Sequence, residues 1–142
     1  MTNSISEIED SGCIFVIGSN TTACHPLIAR RIMRAKEKGA KLIVADPRNI
    51  QLSRFADVAV NQHLGSDVAL LNGMMHIIIK NGWHKEEYIA QRTEDYDALE
   101  KKVKGYTPEI VRNITGISTV YLEKMAEFYA CYPPARDRKS VV

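Results

Sequence analysis

Short apolar runs alternate with longer amphipathic segments along the first half of the chain. The run Cys13–Ile17 is rich in β-branched residues and stops at Gly18, which predicts a buried strand. Residues 42–45 predict a second buried strand, and residues 58–60 predict a third, shorter one. Residues 50–55, between the last two strands, predict a short helix or turn.

Helix signals follow the first and third strands. Pro26 suits the first position of a helix, and Gly39, after two lysines in the last turn, marks its end. Residues 68–79 are apolar on most faces and predict a largely buried helix, with Ser66 or Asp67 as its N-cap. The apolar face predicted for the helix that begins at Pro26 consists of Leu27, Ile28, Ile32 and Ala35.

The second half of the chain has only helical patterns. The sequence Thr107-Pro108-Glu109 predicts a helix start, with a capping hydroxyl, a proline in the first turn and a carboxylate beside the helix N-terminus. Apolar residues at helical spacing predict two more helices, one with Tyr96, Leu99 and Val103 on one face and a last one with Leu122, Met125, Ala126 and Tyr129.

The order strand, helix, strand, short helix, strand, helix is typical of an α/β protein. We predict a doubly wound, Rossmann-like parallel sheet with helices on both faces, followed by a helical C-terminal half. Such folds bind ligands at the carboxyl ends of their strands. Three loops fall at these ends, at residues 18–24, 46–50 and 62–67, and we expect them to lie side by side. Their convergence predicts a binding site.

Composition narrows the possible partners. A formal net charge of +2, with scattered Lys and Arg, gives no reason to expect nucleic acid or an anionic membrane as a partner. No apolar stretch approaches the roughly 20 residues of a membrane span, and no signal peptide is recognisable, so we expect a cytoplasmic location. Cys13, Cys24 and Cys131 match no zinc or iron–sulfur spacing and are expected to be free thiols.

The first of the three loops offers groups that suit a phosphate. Gly18 allows a ligand to approach the backbone closely, and Ser19 and Asn20 lead into the N–H groups of a helix start. The stretch from Ser19 to His25 is predicted to be turn-like. A plain strand-to-helix turn explains the same residues, so this loop alone does not decide between the two interpretations.

The other two loops carry carboxylates. Asp46, at the end of the second strand, could accept hydrogen bonds from a ribose or a base, and Arg48 could pair with phosphate or stack on a ring. Alternatively, Asp46 caps the short helix that follows it. Asp67 could accept the N1–H and N2–H₂ of a guanine and could also cap its own helix, and these two roles are compatible.

Together the loops describe a nucleotide site. The dinucleotide-binding fingerprint is not present, because Asn20 and Ala23 occupy the positions of its later glycines. The acidic residue also comes late, 46 − 18 = 28 residues after the glycine, against about 20 in the fingerprint.

Several segments, in one order across roughly residues 1–130, resemble the catalytic subunit of the molybdopterin-dependent formate dehydrogenases, in the molybdopterin oxidoreductase superfamily. The resemblance rests on the agreement of several motifs rather than on one. These are residues 1–10, Val16-Ile17-Gly18-Ser19-Asn20-Thr21-Thr22, His25-Pro26, residues 39–48 with Asp46-Pro47-Arg48 at their end, Ala56-Asp57, residues 67–72, Arg92-Thr93-Glu94, Tyr106-Thr107-Pro108-Glu109 and Ile114-Thr115-Gly116.

The resemblance implies a role for the three loops. Proteins of this family bind two molybdopterin guanine dinucleotides around molybdenum or tungsten, and one doubly wound domain holds the guanosine end of one of them. By this resemblance, the residues at the diphosphate are Gly18, Ser19 and Asn20, those by the guanosine are Asp46 and Arg48, and those that complete the guanine pocket are Gly65, Ser66 and Asp67.

The resemblance also implies which family features lie outside this segment. In the family, the cysteine or selenocysteine that binds the metal and the cysteines of an iron–sulfur cluster precede it, and an arginine important for the substrate follows it. Cys24 stands where the family more often has an acidic or other polar residue. We therefore assign no catalytic residue and no metal ligand to this chain, and we expect the iron–sulfur cluster in the parent subunit only.

We interpret residues 1–132 as part of a molybdopterin guanine dinucleotide-binding α/β domain, and the chain as an internal fragment of a larger subunit. Residues 133–142 look non-native, and we interpret residues 137–142 as the translation of a common sequencing adapter, with a solvated basic tail as the alternative.

Three functions are compatible with these residues. The first is a fragment, inactive alone, of a subunit that oxidises formate to carbon dioxide and works with other electron-transfer subunits. The second is the same domain of a nitrate reductase or of a respiratory-complex subunit. The third belongs to a different class and is a stand-alone nucleotide-binding module.

Overall fold

The chain is described here by a computed structural model that covers residues 4–139, with side chains described as far as Arg136. Its centre is a sheet of four parallel strands, β1 Cys13–Ile17, β2 Lys41–Ala45, β3 Val58–Val60 and β4 Ala135–Lys139. The strand order is β3-β2-β1-β4, so β1 is central and pairs with both β2 and β4. The sheet confirms the predicted parallel α/β fold.

Helices connect the strands and make up most of the second half of the described chain. They are α1 Thr21–Cys24, α2 Pro26–Glu37, α3 Asp67–Lys80, α4 Glu86–Arg92, α5 Tyr96–Val103, α6 Pro108–Thr115 and α7 Thr119–Cys131, with short 3-10 helices at Ile5–Asp10 and Gln51–Phe55. Within residues 4–139, no helix combines the length and the apolarity that a membrane crossing requires.

Each face of the sheet buries its own apolar cluster, which is why β1, β2 and β3 consist almost entirely of apolar residues. Phe15 and Ile43 point to the face covered by α3, α6 and α7. Val16 and Val44, one residue further along their strands, point to the opposite face, which α2 and the 3-10 helix Gln51–Phe55 cover. The alternation follows from the two-residue period of a strand, and it confirms helices on both faces.

The first three strands lie where the sequence predicts them, within one residue. The fourth strand is not among the sequence predictions, because residues 135–139 are charged and follow two prolines. It pairs in parallel with β1, from Cys13↔Ala135 to Ile17↔Lys139. The proposed non-native origin of residues 133–142 stays a prediction.

Two helix predictions need correction. In α2, Ile28, Ile32 and Ala35 are buried, whereas Leu27 is 75% exposed because it lies about 100° around the helix from their shared face. In α5, Val103 is buried, but Leu99 is 40% exposed. The start of α6 is as predicted, since the Thr107 hydroxyl accepts a hydrogen bond from the N–H of Ile110 and Pro108 occupies the first turn.

Gly73 allows α3 to pack closely on α6 and α7. A Cβ at this position would lie 2.7 Å from Cγ2 of Val111 and 3.2 Å from Cδ2 of Leu122. Both neighbours are buried, and valine has little rotamer freedom to move away.

We therefore expect Gly73→Ala to lower the free energy of unfolding by about 1–3 kcal/mol, although alanine favours helix more than glycine does. Urea denaturation followed by circular dichroism measures the change. Gly105→Ala is the matched control, because the nearest atom to a Cβ there lies 3.7 Å away and its stability should change little. Equal stability of Gly73→Ala and wild type would contradict the close packing of α3.

Candidate functional site

The three loops that follow β1, β2 and β3 lie side by side at one edge of the sheet. The N–H of Gly18 donates to the carbonyl of Ala45, at 2.9 Å, and the N–H of Asp46 donates to the carbonyl of Val60, at 3.1 Å. The first two loops thus begin hydrogen-bonded to the end of the next strand. The expected convergence is confirmed, and its cause is that all three strands run in the same direction.

The first loop is short and tightly folded. Gly18 has a φ of +57°, a conformation that glycine adopts without strain. Ser19 is buried, with its Oγ 3.2 Å from Oγ1 of Thr21, and the hydroxyl of Thr22 donates to Oδ1 of Asn20 at 3.0 Å. Residues 21–24 form α1, so the prediction of a turn over residues 19–25 is wrong for most of that stretch.

The second loop is organised around an ion pair. The carboxylate of Asp46, about 1% exposed, accepts from Nε of Arg48 at 3.0 Å, from Nη2 at 3.2 Å and from the Arg48 backbone N–H at 2.9 Å. Burial disfavours the charged carboxylate, but the hydrogen bonds and charge of Arg48 outweigh it and lower the pKa of Asp46. The Arg48 side chain is 67% exposed, so its guanidinium faces solvent.

Asp46 therefore does not act as the helix cap that was one of the two expectations for it, and its expected position beside a ribose or base stays a prediction. It caps the turn at Arg48, and not the short helix, because that helix begins only at Gln51. Its carboxylate lies behind Arg48, so a ligand entering from solvent meets the guanidinium first. The side chain of Asn61 fixes the same turn, since its Nδ2 donates to the carbonyl of Asp46 at 2.8 Å.

The third loop brings Asp67 close to the first loop. Asp67 is the first residue of α3 and is half-buried, which places its negative charge at a helix N-terminus. Its Oδ1 accepts from Nε2 of Gln62 at 3.1 Å. A Cβ at Gly18 would lie 4.0 Å from its Oδ2, so this carboxylate borders the first loop.

Ser66 and Gly65 shape the turn before Asp67. Gly65 has a φ of +75° and is exposed. Ser66 occupies the N-cap position, but its hydroxyl donates to the carbonyl of His63 at 2.7 Å and makes no capping hydrogen bond. Of the two predicted N-cap residues, Ser66 and not Asp67 occupies the position, but it makes no side-chain cap because its hydroxyl is bonded within the loop.

Sequence reasoning missed three residues of this site. Gln62 is about 2% exposed and holds Asp67, and Asn61 holds the Asp46 turn. The only sequence signal for Asn61 and Gln62 was that two residues with amide side chains follow the third strand directly. His63 was missed as well, and its ring packs against Gly116, where a Cβ would lie 2.7 Å from Nε2.

The assembled groups suit binding rather than covalent chemistry. Arg48 offers a positive charge, Asp67 offers carboxylate oxygens, and the first loop offers backbone and hydroxyl groups near a glycine. Among the side chains that the structure describes, residues 4–136, there is no group of three or more His, Cys, Asp or Glu that could hold a metal ion. Such a set of groups matches a polar ligand with an anionic part.

Comparisons with known proteins identify relatives of the chain. The model of the family described as molybdopterin oxidoreductase matches residues 1–130. The chain is 46% identical over 129 residues to the F420-dependent formate dehydrogenase 1 subunit alpha of Methanococcus maripaludis, which covers 91% of the chain and 19% of that protein. It is 42% identical over 130 residues to formate dehydrogenase H of Escherichia coli, which covers 92% of the chain and 18% of that protein.

More distant relatives carry other names. A nitrate reductase of Synechocystis is 34% identical over 125 residues. The solved structure of acetylene hydratase from Pelobacter acetylenicus matches with a TM-score of 0.87 and 26% identity, over 96% of the chain and 20% of that protein. The chain spans about a fifth of the length of these relatives.

The Asp46–Arg48 pair predicts a pH dependence of stability. Because the folded pKa of Asp46 is lowered, its stabilising contribution is complete above the unfolded pKa of about 3.9 and is lost as pH falls through the lower folded value. We expect Asp46→Asn to reduce the slope of unfolding free energy against pH below about pH 4. Urea titrations from pH 7 to pH 2.5 measure this slope. Asp10→Asn, an exposed carboxylate 3.7 Å from Lys38, is the control, and equal slopes in both variants would refute the prediction.

Proposed function

The chain belongs to the molybdopterin oxidoreductase family, and we propose that it is part of a formate dehydrogenase catalytic subunit that binds the guanosine diphosphate part of a molybdopterin guanine dinucleotide. The observation that supports this most is the meeting of three strand-exit loops, with Gly18, Arg48 and Asp67 around one edge of the sheet. The cofactor, with molybdenum or tungsten, supplies oxidation–reduction chemistry when bound, and the residues of this chain bind and orient its nucleotide end.

The first loop is proposed to hold the diphosphate. Gly18 has no side chain and lets the diphosphate approach the backbone closely, and the next two residues, Ser19 and Asn20, add polar groups. Helix α1 has only four residues, so its dipole is weak and the attraction comes mainly from individual N–H groups. The exposed guanidinium of Arg48 adds the positive charge that a diphosphate needs.

The second loop is proposed to lie beside the guanosine. The ion pair with Asp46 holds Arg48 in a fixed orientation and leaves guanidinium N–H groups on the solvent side for a phosphate or ribose oxygen. Asp46 is thus better described as the support of Arg48 than as a direct ribose ligand. A direct contact from Asp46 requires Arg48 to move aside.

The third loop is proposed to form the guanine pocket from Gly65, Ser66 and Asp67. A guanine presents N1–H and N2–H₂ side by side, and the carboxylate of Asp67 can accept from both. Gly65 keeps the approach open because it carries no side chain. Ser66 contributes through the shape of the turn, since its hydroxyl is already bonded to His63.

The residues present fit the nucleotide end of this cofactor. Gln62 leaves a buried amide oxygen without a hydrogen-bond partner in the described chain, and Gly18 leaves space next to the Asp67 carboxylate. Both are features of a site shaped for a polar ligand. Formate as the substrate, an iron–sulfur cluster, partner electron-transfer subunits and a cytoplasmic location are proposed for the parent subunit as a whole.

The two alternatives are less well supported. Identity to two nitrate reductases is 34% and 38%, against 46% and 42% for the two formate dehydrogenases, which favours the latter. A stand-alone nucleotide-binding module is disfavoured by relatives about five times as long as the chain.

Nucleotide titration of the full chain tests the proposed site. We expect GDP to bind more tightly than ADP or NAD in isothermal titration calorimetry. Asp67→Asn should weaken GDP binding about tenfold, because one acceptor of the guanine N–H pair becomes a donor. The exposed Asp97→Asn removes the same charge from α5 and should leave GDP binding unchanged. Tight NAD binding with no GDP preference would overturn the proposal in favour of the stand-alone module.

The purified chain should not oxidise formate. The proposed role is limited to nucleotide contacts, and no residue of the described chain is assigned to the reaction centre. An assay with formate and an artificial electron acceptor measures this, with a full-length formate dehydrogenase as the positive control. Turnover of formate by the chain alone would show that reactive groups have been overlooked.

A further inference from the structure

Gln62 is the most unusual polar residue at the carboxyl edge of the sheet. Its side chain is about 2% exposed, although glutamine is mostly found on protein surfaces. It stands two residues after the end of β3 and is the first residue of the loop that leads to Asp67. The family resemblance and the chemistry of the three loops give it no role.

The chemistry of its partner fixes the orientation of its amide. An ionised carboxylate only accepts hydrogen bonds, so Nε2 and not Oε1 must face Asp67. Nε2 lies 3.1 Å from Oδ1 of Asp67. Oε1 is consequently directed elsewhere, and it is buried without a hydrogen-bond partner in the described part of the chain.

This arrangement is unfavourable for folding alone. A buried amide oxygen without a donor destabilises the folded state, and an apolar side chain of similar volume avoids this cost. The benefit of the amide must therefore come from its Nε2 group, which donates a hydrogen bond to Asp67. That bond holds Oδ1 of the half-buried Asp67 carboxylate in place and restricts the last torsion angle of its side chain.

We propose that Gln62 is a positioning residue that sets the plane of the Asp67 carboxylate for recognition of a guanine base, an inference that rests on the proposed nucleotide function. With Oδ1 fixed by Gln62, Oδ2 borders Gly18, so the carboxylate is held between the first and third loops. The coplanar N1–H and N2–H₂ groups of guanine require a carboxylate in a matching plane. Holding that plane before binding reduces the entropy lost when the base binds.

The test compares GDP with inosine diphosphate, which lacks the exocyclic N2 amine, on the full chain. Gln62→Met keeps the volume and removes both polar atoms. We expect the dissociation constant for GDP to rise about tenfold and the preference for GDP over inosine diphosphate to shrink, while the melting temperature stays the same or rises. Calorimetry and thermal denaturation measure these three quantities.

Ser11→Ala is the matched control. Ser11 is also buried and its Oγ also lacks a hydrogen-bond partner, but it lies before β1, at the opposite end of the strands. Its replacement should preserve or raise stability and leave both nucleotide affinities unchanged. Gln62→Asn is the second variant, because it keeps a buried amide that is one methylene too short to reach Asp67. It should also reduce the GDP preference.

The outcomes separate this inference from the function on which it rests. If Gln62→Met binds GDP and inosine diphosphate as wild type does while Asp67→Asn binds GDP weakly, the positioning role is overturned and the nucleotide site stands. If Gln62→Met melts several degrees lower with an unchanged preference, Gln62 is structural and the inference is again overturned. If wild type binds no GDP, the proposed function and this inference fall together.

Discussion

The parallel pairing of β1 with a strand on either side is the constraint on which the rest of the structure depends. Because β1, β2 and β3 run in the same direction, each ends at the same edge of the sheet, and every connection must return across one face. Backbone hydrogen bonds from Gly18 to Ala45 and from Asp46 to Val60 then join the ends of neighbouring strands. The site is a consequence of strand direction before any side chain is considered.

Local signals were sufficient to predict the sheet and the main helices. The apolar run of β1, the Pro26 start of α2 and the Thr107 cap of α6 are each decided by residues close together in sequence. The parallel order followed from the alternation of strands and helices. Strand β4 could not be predicted in this way, because its charged residues carry no apolar signal and its pairing joins residues 122 positions apart, since 135 − 13 = 122.

The site was predictable at the level of loops but not of hydrogen bonds. Gly18, Arg48 and Asp67 stand where strand ends and helix starts place them. The partners of these residues come from contacts that no local pattern encodes. The carboxylate of Asp46 accepts hydrogen bonds from three N–H groups of Arg48. Asn61 stabilises the turn that contains both residues, and the exposure of Arg48 depends on this turn. Serine is a residue type that often caps helices, but the hydroxyl of Ser66 instead donates a hydrogen bond to the nearby carbonyl of His63.

The helical half of the chain supports the third loop, although it forms no part of strands β1–β3 at whose ends the loops lie. The N–H of His63 donates to the carbonyl of Thr115, at 2.9 Å, and its ring Nδ1 lies 3.1 Å from the carbonyl of Ile114. Gly116, with a φ of +77°, leaves room for that ring. The end of α6 thus fixes the loop that begins at Gln62 and ends at Asp67. A substitution at Gly116 can therefore alter the third loop without touching any residue assigned to the nucleotide.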